Sequence, residues 1–242
     1  MSLPVGCTLL AKTASYVDKK DGETKRRRPV TKNEDARQLL PQAVANQIPC
    51  KYVLNAVGVA SAENRGFITQ TLQKDFVLPL KAKRKGALSL ADNRQGQDVR
   101  VDTLVGADPT PKPVYLEGVP CLLLLVKPVF TNADGSTGVW YVVTSDTTLT
   151  FADLTTSYQK RGNVERSHQS LKQNASLAKS PPQTVVTQTT HFVAALWAFV
   201  KLELLKSSTH LNHFALKTKL YVAALHSAFD QLRQLQPIPL TA

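Results

Sequence analysis

The chain has little cysteine, few acids and no long apolar run, and each shortage excludes something. Its three cysteines, Cys7, Cys50 and Cys121, lie far apart in 242 residues, with no C-x-x-C pair. That excludes a disulfide scaffold and a cysteine-built zinc site, and reads as reduced, buried, small apolar side chains in a cytosolic protein. No run approaches the roughly 20 apolar residues of a membrane span. The opening MSLPVGCTLLAKT lacks a basic stretch before a long apolar core, which argues against a signal peptide. Nothing repeats internally and no segment is low in complexity, so solenoids and flexible linkers drop out. Acids number 18 against 30 Lys and Arg, for a formal net charge of +12. Such a balance selects a polyanionic partner, nucleic acid first, although a ribosomal or membrane-surface protein would share it. The hydrophobic share of 43% is that of a folded chain. At this length it can bury one large core, or one core with an insertion.

Taken in order, residues 3–12 (LPVGCTLLAK) are apolar enough for a strand of a central sheet already under way at Met1. Asp18 to Lys32 reads as a charged surface loop with Arg26, Arg27 and Arg28 at its tip, suited to phosphate contact rather than sequence readout. Asn33 is expected to cap a helix with Glu34 and Asp35 in its first turn. Leu39, Leu40, Ala43 and Val44 form its buried stripe, and Pro41 threatens its middle. CKYVLN at 50–55 is a short buried strand, Ser61 an N-cap for SAENRGFITQTLQ, and DFVLPLK at 75–81 a second strand. Strand, helix and strand in about 30 residues make a βαβ unit with parallel pairing. Chemistry in such sheets sits beyond the carboxyl ends of the strands, here just after Leu54.

From 99 to 145, β-rich runs broken by turns such as NADG at 132–135 read as four or so antiparallel strands. Lys127 among them is either a DNA contact or a strand-edge lysine that blocks aggregation. After Asp146 the pattern is helical. Thr150 to Asn174 forms two helices, or one kinked near Arg161 and Gly162, and a long core helix starts at His191. A last helix, Asn212 to Leu235, is expected to bury Leu216, Leu220, Ala223, Ala224 and Leu225, with Lys217, Lys219 and Arg233 outside. His210, His213 and His226 lack ligand spacing and read as surface or capping residues.

The most specific pattern is YQKRGNVERSHQSLK, from Tyr158 to Lys172. Tyr158, Arg161, Glu165 and Lys172 stand at offsets of three, four and seven. On one continuous helix they would share a sector of about 60°. A mixed-charge stripe is first of all a solvated face, with pair energies on the order of a few tenths of a kcal/mol. The spacing gives the second reading. Y-(2)-R-(3)-E-(6)-K is the signature of insertion-sequence DDE transposases, often called the IS-four type, which the chain resembles at a second place as well. YVLNAVGVASAEN followed by DFVLPLKAKRKGALSL is similar to that family's V-L-x-D-x-W-[FY]-A-S-x-E-N, then F-[IV]-x-P-x-K-x-N-R. Aligned on Glu63 and Asn64, Lys81 and Arg84 match and Lys83 stands for Asn. Ala56 falls on the family's second catalytic Asp, Gly58 on its Trp and Val59 on its aromatic residue.

The resemblance implies an α/β fold: a partial RNase H-like catalytic domain with a β-rich insertion and a helical carboxyl-terminal region. The divisions are 1–90, 91–147 and 148–242. It implies Glu165 as the third acid of the catalytic set, and Tyr158, Arg161, Lys172, Lys81 and Arg84 as DNA contacts. In such a site three carboxylates hold two Mg²⁺ or Mn²⁺ ions for in-line attack on a phosphodiester. The implied partner is insertion-sequence terminal-repeat DNA, in the bacterial cytoplasm with the nucleoid and away from the membrane; a homodimer stays open. Two acids are missing. Ala56 offers no oxygen, Asn55 beside it only a neutral carbonyl, and the first Asp is expected upstream of Met1.

The expectation is therefore a truncated, catalytically impaired transposase copy that does not hold the metals usefully alone. The alternative is a DNA-binding remnant without catalysis, and the third reading is a basic structural protein with accidental motifs. Asp to Ala at 56, Trp to Gly at 58 and 162, Phe to Val at 59 and Tyr to Ser at 167 are each one A-to-C or T-to-G change. The hypothesis is a decayed or misread gene, and an Asp codon at 56 with a Trp codon at 58 on resequencing would refute decay. If positions 58 and 162 are buried, each lost Trp costs about 3–5 kcal/mol, and the chain is expected to be poorly soluble or molten.

Overall fold

The computed structural model describes residues 3–8, 12–106, 110–179 and 184–234. They fall into two compact units, residues 5–163 and residues 164–242 with the first four. The expected strand at 3–12 is not formed over 3–8, and 9–11 lie outside the described residues. The first regular element is instead a hairpin, β1 (Ala14–Val17) with β2 (Thr24–Arg27). Arg26 and Arg27 are therefore in a strand, and the turn is the acidic 18–23 segment. There Lys25 bridges the carboxylates of Asp18 and Asp21, and holds both below the usual Asp range.

Helix α1 (Lys32–Ala45) is capped by Thr31 rather than Asn33, with a reciprocal capping box to Glu34. It runs through Pro41 unbroken. Next come β3 (Tyr52–Leu54), α2 (Ala62–Gly66) capped by Ser61, a wider π-helical turn over Phe67–Thr71, and β4 (Asp75–Pro79). Strands β3 and β4 pair in parallel, with Val53 beside Phe76, as the βαβ reading requires.

The segment 91–147 is not a separate layer. After β5 (Lys85–Ala87), α3 (Leu90–Arg94), β6 (Val99–Arg100) and α4 (Val101–Leu104), it supplies β7 (Lys112–Leu116), β8 (Leu123–Val126) and β11 (Val142–Thr144). These extend one seven-stranded mixed sheet, ordered β3-β4-β11-β8-β7-β5-β6. Within this segment β9 (Val129–Thr131) and β10 (Thr137–Val139) stand apart, as a hairpin closed by the NADG turn with Gly135 at φ +80°. The merger follows from composition. β8 reads LLLV and β11 VVT, apolar on both faces, so neither can leave one face to water.

Alternation then sorts the core. Val53, Phe76, Leu78, Leu125 and Val143 point to one face, where Leu40 of α1 and Ala62 of α2 pack. Val77, Val126 and Val142 point to the other, covered by α5 (Phe151–Gln159) through Leu154.

The second unit holds α6 (Gly162–Gln173), α7 (Val185–Thr209) and α8 (His213–Gln234). Its small core joins Leu171, Ala175, Ala195 and Phe199. His210, in the left-handed region at φ 57°, ends α7. One expectation is qualified here and one fails. α7 is long and apolar enough, by length and composition, to cross a membrane, with a mean hydropathy of 1.2 over its apolar window. The sequence showed no unbroken apolar run because Lys201, Glu203 and Lys206 fall in its last third. In α8 only His213 and Leu216 are buried; Leu220, Ala223, Ala224 and Leu225 are exposed.

Candidate functional site

Parallel pairing of β3 and β4, with β11 antiparallel to β4, fixes which residues share an end of the sheet. At the carboxyl end of β3 stand Asn55 and Ala56. At that of β4, the Leu80 amide donates to the Tyr141 carbonyl at 2.8 Å, and Lys81 follows, exposed. Trp140, just before β11, belongs to the same end. Its ring stacks edge-on against Tyr158 at 5.9 Å between centroids, and tilted on Phe130 at 4.9 Å. Helix α5 runs back over the sheet from Thr150, so its last turn reaches this end with Tyr158, and Arg161 comes next. One sheet end thus carries Ala56, Lys81, Tyr158 and Arg161.

The shared helical face expected for the signature is not formed. α5 stops at Gln159 and α6 starts at Gly162. Between them the Lys160 and Arg161 amides turn back to the Ser157 and Tyr158 carbonyls at 3.2 and 3.0 Å. The kink expected near Arg161 and Gly162 is there, and no single helix carries all four residues. Tyr158 belongs to α5, Arg161 to the break, and Glu165 and Lys172 to α6. On α6 the last two are seven residues apart and both exposed, hence on one face of that helix.

Ala56, the position that the resemblance aligns with a second acid, is built by backbone. Ala56 precedes a 3₁₀ turn over Val57–Val59 with no side-chain cap, and the Val59 amide donates to the Ala56 carbonyl at 2.9 Å. Asn55 Nδ2 is buried without a hydrogen-bond partner among the described residues. Gly58 is exposed, and an added Cβ at Gly58 or Gly162 would meet nothing within 4 Å. The premise of a buried Trp at either position is therefore not met, and the large stability loss argued from it falls away.

What holds this loop was only half legible. Ser61, recognised as a cap, accepts from the Asn64 amide at 3.1 Å. Asn64 itself is fully buried. Its Nδ2 donates to the Val59 carbonyl at 2.8 Å and to Asn33 Oδ1 at 3.1 Å, while its Oδ1 accepts from Arg37 at 2.7 Å. Arg65, also buried, donates from Nη1 to the Ala60 carbonyl at 2.9 Å. The motif's Asn and its neighbour thus tie the second-acid loop to α1 and α2. A polar residue three after a cap was the available signal; the partner Arg37 lies 27 residues away and gave none.

A second polar cluster, Tyr52 donating to Asp146 at 2.8 Å and Ser145 to Asp75 at 2.8 Å, lies at the opposite, amino end of β3 and β4. Thr148, first by its hydroxyl and then by its amide, holds Asp146 below the usual carboxylate range, and burial raises Tyr52. The pair locks β3 to the loop after β11.

In the second unit a buried tie went unread. His213, expected at the surface, is buried. In its neutral Nε2–H form its Nδ1 accepts from Ser170 Oγ at 2.6 Å. Its Nε2 lies 3.1 Å from Glu203 Oε1 without hydrogen-bond alignment, an electrostatic contact. Asn174 also donates to Ser170 Oγ at 2.9 Å. The order hydroxyl, imidazole, carboxylate is that of an acyl-transfer relay. Here the hydroxyl is engaged from both sides and the other two groups are buried, so the trio joins α6, α7 and α8. Burial lowers the His213 pKa, partly opposed by Glu203.

The donor set does not fit a two-metal site. Among the described residues no three His, Cys, Asp or Glu side chains gather to hold a metal ion. At the carboxyl end of β3 the oxygens on offer are an amide and backbone carbonyls, too few and too weak for Mg²⁺ or Mn²⁺. Neither a protein-family model nor a curated protein sequence matches the chain.

Proposed function

We propose that this chain is of DDE transposase lineage, of the IS-four type, and that as it stands it engages DNA through phosphate contacts without cleaving it. The carrying observation is the carboxyl end of β3 and β4, the sheet end that Lys81, Tyr158 and Arg161 share with Ala56, the residue the resemblance aligns with the second acid. Cations and an aromatic ring collected where a strand pair ends suit a phosphate backbone. The exposed basic run Lys81, Lys83, Arg84 and Lys85 and the net charge of +12 extend that surface. Glu165 is the acid the signature assigns, and alone it supplies neither the charge nor the coordination number for metal-assisted transfer.

The test is duplex binding at two salt concentrations, together with a nicking assay in Mn²⁺. Binding is expected to weaken at least tenfold between 50 and 200 mM salt (estimates for several phosphate contacts), with no metal dependence and no strand breaks. Nicking of terminal-repeat DNA would refute the inactive site. Failure to bind any duplex at about 50 mM salt would remove the DNA reading altogether.

A further inference from the structure

Helices α7 and α8 border an open groove of about 450 Å³ that their own side chains leave unfilled. Ala198, Lys201, Leu202 and Leu205 of α7 line it at i, i+3, i+4 and i+7. Lys217, Leu220, Tyr221 and Ala224 of α8 repeat that spacing on the other side. Each set of four therefore lies on one helix face, and the groove has two regular walls about two turns long. Leu202, which is buried, lies at its base, while Leu205, Leu220 and Tyr221 are exposed along it.

Its charge is of one sign. Among the described residues Lys201 and Lys217 border the groove and no acid does. The acids of α7 and α8 are engaged elsewhere: Glu203 is buried beside His213 and Lys206, and Asp230 faces Arg233. The fold also positions one of the two cations. Lys217 donates to the Gln173 carbonyl at 2.8 Å and stands 5.8 Å from the centre of the Tyr221 ring. That uses one of its three ammonium donors and leaves two for an anion. The volume is that of a small-molecule site. At about 30 Å³ per group, the share of a water molecule in the liquid, it holds about fifteen groups, the size of dodecanoate. A phosphate backbone would use the lysines and gain nothing from Leu202, Leu205 and Leu220. An uncharged chain would leave both cations without a counter-charge.

We propose that the groove between α7 and α8 binds a free long-chain carboxylate, its head held by Lys201 and Lys217 and its alkyl chain laid along Leu202, Leu205 and Leu220. The proposal does not depend on the DNA reading. Isothermal titration of the full chain with dodecanoate, below its micelle concentration, is expected to give one molecule per chain with a Kd of about 10–100 µM. Hexanoate keeps the head and shortens the chain, and dodecyltrimethylammonium keeps the chain and reverses the charge. Each is expected to bind at least about tenfold more weakly. Lys201→Glu, and Ala224→Trp, which fills the groove from an exposed position, are each expected to weaken dodecanoate at least about tenfold with helical circular dichroism unchanged.

A second measurement covers the case in which either variant misfolds. Dodecanoate carrying a diazirine on its chain, photolysed with the parent chain, is expected to label residues within 198–205 and 217–224. A parent chain that does not bind dodecanoate overturns the proposal, as does labelling confined to other segments. Equal affinity for dodecyltrimethylammonium would mean an apolar surface without charge selection, and equal affinity for hexanoate would mean charge alone; either overturns it. So do variants that both fold and bind dodecanoate as the parent does. The other occupants are read in the same experiments. Flotation with phosphatidylglycerol vesicles in the absence of dodecanoate binding assigns the groove to a lipid surface. Dodecanoate affinity that falls as the protein concentration is raised assigns it to a second copy of the chain. Both outcomes overturn the proposal.

Discussion

Replacing Arg65 with methionine is expected to stabilise the first unit, although it removes a hydrogen bond. Arg65 is 1% exposed, and among the described residues its guanidinium donates from Nη1 to the Ala60 carbonyl while Nε has no partner. Burial first, and Arg84 second, bring its pKa well below the usual Arg value, to about 10. At about 1.4 kcal/mol per pH unit, the surroundings disfavour the charged form by about 3 kcal/mol relative to water. Methionine fills most of the same volume without a charge to desolvate. Against that stands the lost bond to Ala60, worth about 1–2 kcal/mol. The net is a gain of about 1–2 kcal/mol, or a rise in Tm of about 2–8 °C for a unit of this size.

Urea titration of the full chain followed by circular dichroism measures it, and Arg65→Ala, which leaves a cavity, should fall about 2–5 kcal/mol below Arg65→Met. The sign with pH is a second check. A folded pKa below the unfolded one means the penalty is present at neutral pH and is relieved as pH rises through about 10. The advantage of Arg65→Met should shrink there. If Arg65→Met lowers the urea midpoint, the anchor on Ala60 outweighs the buried charge and the reasoning fails.

Two further outcomes are expected. The folded pKa of His213 lies below its ordinary 6.5, chiefly through burial, so its contribution is full above pH 6.5 and lost as pH falls through and below it. Thermal melts between pH 7.5 and 5 should show that loss, and His213→Gln should flatten it; an unchanged slope in the variant would assign the loss to other groups. A Cβ on Gly86 of β5 would lie 2.6 Å from the Tyr115 carbonyl oxygen and 2.9 Å from Leu116. Gly86→Ala should therefore destabilise by about 1–3 kcal/mol. A urea midpoint equal to that of the parent would show that β5 and β7 part at no cost.

The parts of the fold that were legible were those written in short periods. Ser61 before an apolar helix, the buried run of β4 and the parallel β3–β4 pair all follow from neighbours within about 30 residues. What could not be read depended on distant partners. Nothing local says that LLLV and VVT join the sheet of β4 rather than forming one of their own; only their two-sided apolarity hints at it. For α8, a helical wheel cannot tell a side buried in its own fold from one left open. Leu220 and Leu225 lie on the side the periodicity marks as inward, yet both stand in solvent. Lys81, Tyr158 and Arg161 were brought to one sheet end, but the signature's single face required a continuous helix, which the turn at Lys160 and Arg161 interrupts.

The second-acid loop separates frame from chemistry. Asn64, Ser61 and Arg65 set its path through bonds to Val59, the helix start and Ala60, while Ala56 contributes only its carbonyl. A side chain with no structural bond can be lost without loss of the fold. On the proposed lineage, an alanine where that family places an aspartate is therefore compatible with an intact sheet end and with its cations in place. The same logic applies to Gly58, whose surroundings are open. On the proposed lineage, a chain altered at these positions is expected to lose cleavage before it loses its fold, and to lose its electrostatic hold on DNA last. That order of loss is why binding without cutting, rather than general collapse, is the outcome to look for.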